Sequence, residues 1–361
     1  MIREAIANVA KGEDLSEATM TEVMDVVTEG RATPAQIGAL MIALRMKGEA
    51  PEEIAAAAKV MRAKSVKIPL AKTDERPNGS TAGNEVEEVV ADTCGTGGDG
   101  SKTFNVSTTA AFVVAGAGIK VAKHGNRSVS SLCGSADVVE ALGLRLDLTP
   151  SQVGKCIDKV GIGFLYAPLL HGAMRHVIGP RREIGLRTVF NLLGPLTNPA
   201  GASVQIVGVY EEHLTQKMAK VLDKLGCRSA FIVYGAGSYD EISVTGPTTV
   251  TRLLNGAITT STMVPEEVGL KSAQPEEIRG GDASRNAAIT LGVLNGEKGA
   301  PRDIVLLNAA AVLVAAGRAA SFREGIELSA ESIDTGRGLE KLRQLVATGD
   351  FLAGEPPTQA G

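Results

Sequence analysis

Residues 92–137 read DTCGTGGDGSKTFNVSTTAAFVVAGAGIKVAKHGNRSVSSLCGSAD, and the fold turns on this stretch. Val89, Val90 and Ala91 precede it, an apolar run that predicts a short strand ending at Asp92. The loop from Cys94 to Gly100 then packs four glycines into positions 95–100. Glycine there permits positive φ and lets backbone N–H groups come close to a ligand. Ser107 and Thr108 are good N-cap residues, so a helix is expected to begin near them and continue through Ala110 to Ala117. A glycine-rich loop between a strand and a helix is an anion cradle, because spare N–H donors and the positive end of the helix dipole meet there. A second β-like run, Ile119 to Ala122, leads into a basic turn, Lys123-His124-Gly125-Asn126-Arg127. One strand end with bare N–H groups and another with Lys and Arg suit one ligand bearing several negative charges. The expected ligand is a phosphate compound.

Two familiar nucleotide fingerprints do not fit. A P-loop needs a Gly-Lys pair before Ser or Thr, and Lys102 follows Ser101. Gly95-Thr96-Gly97-Gly98-Asp99-Gly100 has the outline of a dinucleotide-binding loop, but residues 101–106 intervene before the helix. No acidic residue closes a second strand about 20 residues on, as that fold requires.

Outward from this centre, residues 1 to about 66 read as helices alone. Ile2, Ala5, Ile6 and Val9 keep helical spacing, as do Met20, Val23, Met24 and Val27 before Gly30. Thr33-Pro34-Ala35-Gln36 is a capping box, and Pro51-Glu52-Glu53 opens a further helix. Residues 71–88 are polar, rich in turn residues and without period, which predicts a surface loop or linker just ahead of the cradle. Thr149-Pro150-Ser151-Gln152 caps another helix, residues 163–166 suggest a buried strand, and Gly179-Pro180 is expected to break the helix after His171. From Ser203 strands and helices alternate, which implies a mostly parallel sheet, with antiparallel additions between Val244 and Leu270. Residues 304–316 form an apolar core helix interrupted by Asn308, and one last helix is expected from Leu328 to Leu345.

The loop Gly235 to Glu241 ends in adjacent carboxylates, Asp240 and Glu241. Such a pair is often merely solvated. Two carboxylates on one tight loop nevertheless repel unless a cation lies between them. Magnesium prefers hard oxygen ligands of this kind, together with substrate phosphates.

At 361 residues the chain accommodates a large α/β domain and a smaller one. Its net charge of −4 and lack of charge runs give no basic face for nucleic acid. Aromatic residues make up 3% and Trp is absent, which disfavours stacking platforms for single strands. Four cysteines without C-x-x-C spacing read as reduced thiols of a cytoplasmic protein, not as a zinc site or a disulfide scaffold. The charged N-terminus is no signal peptide, and no window suits a membrane span.

Four segments carry a resemblance: GTGGDGSKTFNVST at 95–108, KHGNRSVSS at 123–131, GSAD at 134–137 and RREIGLRTVFNLLGPLTNP at 181–199. In order and spacing they resemble the anthranilate phosphoribosyltransferases, over nearly the whole chain. The resemblance implies a mixed, mostly parallel α/β sheet flanked by helices, of the nucleoside phosphorylase/phosphoribosyltransferase type. A small helical domain is implied at 1–68, joined by helices around 170–190, with a large domain at 69–361. The implied reaction moves the phosphoribosyl group of 5-phosphoribosyl 1-diphosphate onto the anthranilate amine and releases pyrophosphate. The phosphoribosyl substrate would meet Gly95, Gly98, Asp99, Thr103, Asn105, Val106, Ser107 and Thr108. The opposite wall would be Lys123, His124, Gly125, Asn126, Arg127, Ser128, Val129, Ser130, Ser131 and Ser135. Anthranilate would meet Gly95, Asn126, His171 and Arg181, and Mg2+ would sit on Ser107, Asp240 and Glu241. His124 is a candidate catalytic group, although orienting the loop is its favoured role. A homodimer through the helical domain and association with anthranilate synthase are further implications. Two departures stand out: Gly172 replaces the usual proline after His171, and the 71–88 loop is long. The rival readings are a pyrimidine nucleoside phosphorylase-like enzyme and a non-catalytic homologue that binds nucleic acid. The first would need a different phosphate loop, and the second a degraded carboxylate pair and a basic face.

Overall fold

The computed structural model of the chain describes residues 1–71, 89–97, 103–128 and 132–354. Most of the expected 71–88 loop, together with Gly98, Asp99, Val129, Ser130 and Ser131, lies outside the described residues. Seven strands form one sheet: β1 (Val90–Asp92), β2 (Lys120–Gly125), β3 (Ile162–Tyr166), β4 (Val204–Gly208), β5 (Ser229–Gly235), β6 (Thr248–Leu254) and β7 (Ala257–Met263). Their order is β3-β2-β1-β4-β5-β6-β7. The first five run parallel, and β6 and β7 add on antiparallel, as the sequence suggested. β1 and β4 are buried along their whole length, including the polar Asp92 and Gln205.

Alternation along the central strands divides the core between the two faces. Ile206, Phe231 and Val233 pack with Val106 to Ala115 and with the Ala300–Ala315 helix. Val207, Ala230 and Ile232 pack on the other face with the N-terminal helices. Those helices are α1 (Ile2–Ala10), α2 (Glu17–Thr28), α3 (Pro34–Lys47) and α4 (Pro51–Lys64). Their stripes of Met20, Val23, Met24, Leu40, Leu44 and Ile54 are buried within this one chain. Glu53 is completely buried at the start of α4. It accepts from Lys47 Nζ at 2.9 Å, Ala50 N–H at 2.8 Å and Leu15 N–H at 2.9 Å, tying the end of α3 to the start of α4.

Four local expectations need correction. Helix α5 (Val106–Gly116) starts one residue earlier, after Asn105, whose amide is engaged elsewhere instead of capping. Strand β2 continues through Gly125, because Lys123, His124 and Gly125 pair with Phe164, Leu165 and Tyr166 of β3. Lys123 and His124 are therefore interior strand residues and do not lie on a surface turn. Pro180 does not break its helix, which runs Arg175–Ile184. The ring is buried beside Val177, and packing offsets the single N–H that proline withholds. The final helix is two, Phe322–Asp334 and Arg337–Ala353, divided by Gly336 at φ 75°.

Candidate functional site

The crevice lies at the C-terminal ends of β1 and β4, where β1 connects to one side of the sheet and β4 continues on the other. Open parallel sheets bind ligands at such a switch point. Here the chain segments after β1, β4 and β5 come into contact. Thr96 N–H donates to Gly208 O at 2.8 Å, and Gly97 N–H donates to Asp240 Oδ2 at 2.9 Å. Ser107 N–H, in the first turn of α5, donates to Glu241 Oε1 at 3.0 Å. Every other residue of α5 is buried, so Ser107 is where that helix opens to the crevice. A small pocket is lined by Thr93, Ser107, Gly208, Asp240, Glu241 and Asn308.

Glycines permit this closeness. A Cβ on Gly95 would stand 2.8 Å from Asp240 Oδ2, and one on Gly208 would overlap the Asp240 backbone. Gly95 thus has a steric reason to be glycine that its φ alone does not reveal.

The pocket is electrostatically tense. Withdrawal from solvent, and then the neighbouring Asp240, push the Glu241 carboxyl up to about 8. Lys123 and Ser107 pull the other way. Lys123 is buried with its Nζ on Thr93 O at 3.0 Å. Among the described residues Glu241 has no contact ion pair. The donor set is hard oxygen, two carboxylates and a hydroxyl, and it fits a divalent cation such as magnesium.

A second cluster, Asp92, Cys94 and His124, brings its potential ligand atoms within 4.8 Å of one another. Its atoms are already used. Asp92 accepts from Asn198 Nδ2 at 2.7 Å and from His124 N–H at 3.2 Å, and burial holds the Cys94 thiol up at about 12. His124 Nδ1 lies 3.2 Å from Gly194 O, so that nitrogen carries the proton. Burial pushes the ring down to about 4, so it is neutral and its Nε2 accepts from His171 Nε2–H at 3.0 Å. His171 Nδ1 is then a buried acceptor without a partner. The His pair belongs to a neutral network, and both nitrogens of His124 are occupied.

Along the opposite wall, Asn126 N–H donates to Ser135 Oγ at 3.1 Å, and Ser135 leaves no room for a side chain at Gly125. Asp137 accepts from Gly134 N–H at 2.8 Å and Ser128 N–H at 3.3 Å, closing the base of the loop between them. Arg127 grips Asp137 and Glu140, each at 2.8 Å, so its guanidinium is largely turned to the protein. Thr103 forms a β-bridge with Arg279, and Val106 and Thr108 are buried in α5. Arg181 is half-buried on the Arg175–Ile184 helix, and burial lowers its pKa. Among the described residues it has no ion pair, which leaves its fork available for a carboxylate.

Three supporting residues escaped the sequence reading. Asn286 Nδ2 donates to Asn105 Oδ1 at 2.9 Å. Asn198 bridges Asp92 to Ala122 O. Asn308 binds the backbone beside Glu241. Only Asn308 left a trace, as a lone amide in an apolar helix.

The chain is similar to proteins of known family. Residues 3–65 match the family model described as "Glycosyl transferase family, helical bundle domain", and residues 87–339 its "a/b domain" counterpart. Anthranilate phosphoribosyltransferase of Geobacter sp. (strain M21) is 55% identical, covering 96% of this chain and 98% of that one. The Geobacter sulfurreducens relative of the same name is 54% identical, covering 96% and 99%. The crystal structure of anthranilate phosphoribosyltransferase from Thermus thermophilus has a TM-score of 0.87 at 41% identity, covering 96% and 99%. The Saccharomyces cerevisiae enzyme in complex with PRPP and Mg has a TM-score of 0.85 at 29% identity, covering 97% and 98%. The chain belongs to the anthranilate phosphoribosyltransferase family.

Proposed function

We propose that the crevice between β1 and β4 is where this chain carries out its family's reaction, phosphoribosyl transfer to the anthranilate amine. The observation that carries the proposal is the meeting of Gly95, Ser107, Asp240 and Glu241 at one pocket. Ser107, Asp240 and Glu241 would hold Mg2+, which when bound offsets the negative charge that builds on the departing pyrophosphate. Backbone N–H groups at Gly95, Gly98 and Asp99 would face the same diphosphate. Thr103, Asn105, Val106 and Thr108 would order the strand-to-helix connection around the ribose phosphate. Residues 123–131 with Ser135 would form the facing wall. There Lys123 contributes a buried positive charge, and Asp137 holds the turn in shape.

The arylamine is a weak nucleophile, so holding it against the anomeric carbon supplies much of the rate. Arg181 would take the anthranilate carboxylate, with Gly95, Asn126 and His171 around the ring and amine. His124, held neutral with both nitrogens occupied, suits orientation of the wall better than proton abstraction. Two copies of the chain would pair through α1–α4, and association with an anthranilate-producing subunit is a further expectation. Among the described residues no helix is long and apolar enough to cross a membrane.

The test mixes protein, anthranilate, 5-phosphoribosyl 1-diphosphate and magnesium, and follows anthranilate fluorescence. Loss of signal that EDTA abolishes is expected. A flat trace from folded protein overturns the reading and directs attention to nucleosides with phosphate. Arg181→Ala should raise the anthranilate KM by about 10–100-fold, the loss of a charged hydrogen-bond pair, and change the KM of the phosphoribosyl substrate much less. The reverse pattern removes Arg181 from the acceptor site.

A further inference from the structure

The Ala300–Ala315 helix is apolar and buried except for a few positions, and Asn308 lies at its centre, only 3% exposed. A buried amide is costly unless every donor and acceptor is used. Its partner is neither solvent nor another side chain. Ile242 N–H donates to Asn308 Oδ1 at 2.9 Å, and Asn308 Nδ2 donates back to Ile242 O at 2.9 Å. The same Nδ2 reaches Ile304 O at 2.9 Å, one turn earlier in its helix. One side chain therefore saturates both backbone groups of a residue 66 positions away in sequence.

Ile242 directly follows the carboxylate pair. Its N–H belongs to the peptide that joins it to Glu241, so gripping both groups fixes the peptide planes on either side of Ile242. That in turn sets the direction in which the Glu241 side chain leaves the backbone. The loop requires such an anchor. Ser238 is held at φ 67°, a left-handed conformation that costs a non-glycine residue energy. A Cβ at Gly235 would stand 2.6 Å from Glu241 O, so the loop is also pressed tightly against the end of β5. Asn308 itself lines the pocket with Asp240, Glu241 and Ser107.

We propose that Asn308 is a positioning residue for the Asp240–Glu241 cation site, acting through the Ile242 backbone from a core helix. Only a primary amide can serve here. Aspartate cannot donate to Ile242 O, and leucine offers neither group, although it fills the same space. This inference rests on the metal reading of the pocket given above.

The test measures Mn2+ binding with inorganic pyrophosphate by electron paramagnetic resonance, on wild type, Asn308→Ala, Asn308→Leu, Val312→Ala and the double variant Asp240→Asn with Glu241→Gln. Asn308→Ala and Asn308→Leu should each weaken Mn2+ binding by about 10–100-fold, the usual cost of removing a residue that orients metal ligands. Val312→Ala, one turn further along the same buried helix, should lower Tm and leave Mn2+ affinity as it was. Wild-type affinity in the Asn308 variants overturns the inference. So does an equal loss in Val312→Ala, because the effect would then be one of general stability. If the carboxylate double variant binds Mn2+ as wild type does, the metal reading itself fails. If that variant loses Mn2+ while the Asn308 variants keep it, only the inference fails. Should both Asn308 variants fail to fold, hydrogen exchange on the wild type decides. The Ile242 amide must be strongly protected without metal, and exchange at loop rates overturns the proposal.

Discussion

Glu53 and Glu241 both sit apart from bulk water, and the chain treats them in opposite ways. Glu53 is sealed in the helical bundle with an ammonium at 2.9 Å and two backbone N–H groups on its oxygens. The Lys47 side chain is itself only 5% exposed, so the pair is closed off on both sides. Glu241 borders a pocket, has Asp240 beside it, and receives N–H and hydroxyl groups of Ser107 in place of a contact cation. A buried charge with its counter-charge in place fastens two helices. Glu241, its pKa pushed up by burial and by Asp240 beside it, instead favours a cation brought by a ligand.

The sharpest way to break this comparison is to remove each charge in turn. Asp240→Asn with Glu241→Gln should lower kcat/KM by at least about 10³-fold, since cation and diphosphate lose their anchor. The Tm of that metal-free variant should hold or rise, because burial and Asp240 already disfavour an ionised Glu241 and the two amides remove that cost. Glu53→Ala should do the reverse. It leaves the Leu15 and Ala50 N–H groups without their acceptor and Lys47 with Asp14 as its one remaining carboxylate, which costs about 3 kcal/mol of stability, while the folded fraction keeps its activity. Denaturant titration beside steady-state kinetics reads both. If either variant loses stability and activity together, the division between fastening and binding carboxylates fails.

How much of this was legible in the sequence follows from where each residue finds its partner. The glycine loop after β1 and the Asp240-Glu241 loop could be read because glycine and paired carboxylates state their requirements locally. The capping boxes at Thr33 and Thr149 are closed within three residues, and both form as written. Lys123 and His124 read as a turn because their residue types are polar. Their burial comes from pairing with Phe164 and Leu165 of β3, some 40 positions on. Beside one local partner each, Asn308 and Asn286 bind residues 66 and 181 positions away. An isolated amide in an apolar helix signals that a partner exists and says nothing of which. Pro180 misled for a similar reason, since local propensity predicts a break and only tertiary packing preserves the helix.

A smaller effect sharpens the comparison from a third direction, with groups that avoid the cost of burial by staying neutral. Burial holds His124 down at about 4 and His171 at about 3, against an ordinary value of 6.5. Below pH 6.5 the unfolded chain takes up protons at these positions and the folded chain does not. Their contribution to stability is therefore complete above pH 6.5 and is lost progressively as pH falls toward 4. The slope for each histidine reaches at most about 1.4 kcal/mol per pH unit. Between pH 6.5 and 5 the raised carboxyls Glu241 and Asp92 act in the opposite sense, so the histidine contribution is read from the difference between two proteins that share them. Unfolding free energies measured there should decline with acid in the wild type and less steeply in His171→Gln. The amide can still meet His124 Nε2 but takes up no proton in the unfolded state. Parallel slopes would mean that His171 already carries its proton in the folded protein. The network from Gly194 to His171 would then hold a charge, and His171 would belong with Glu241 among the groups left short of a counter-ion.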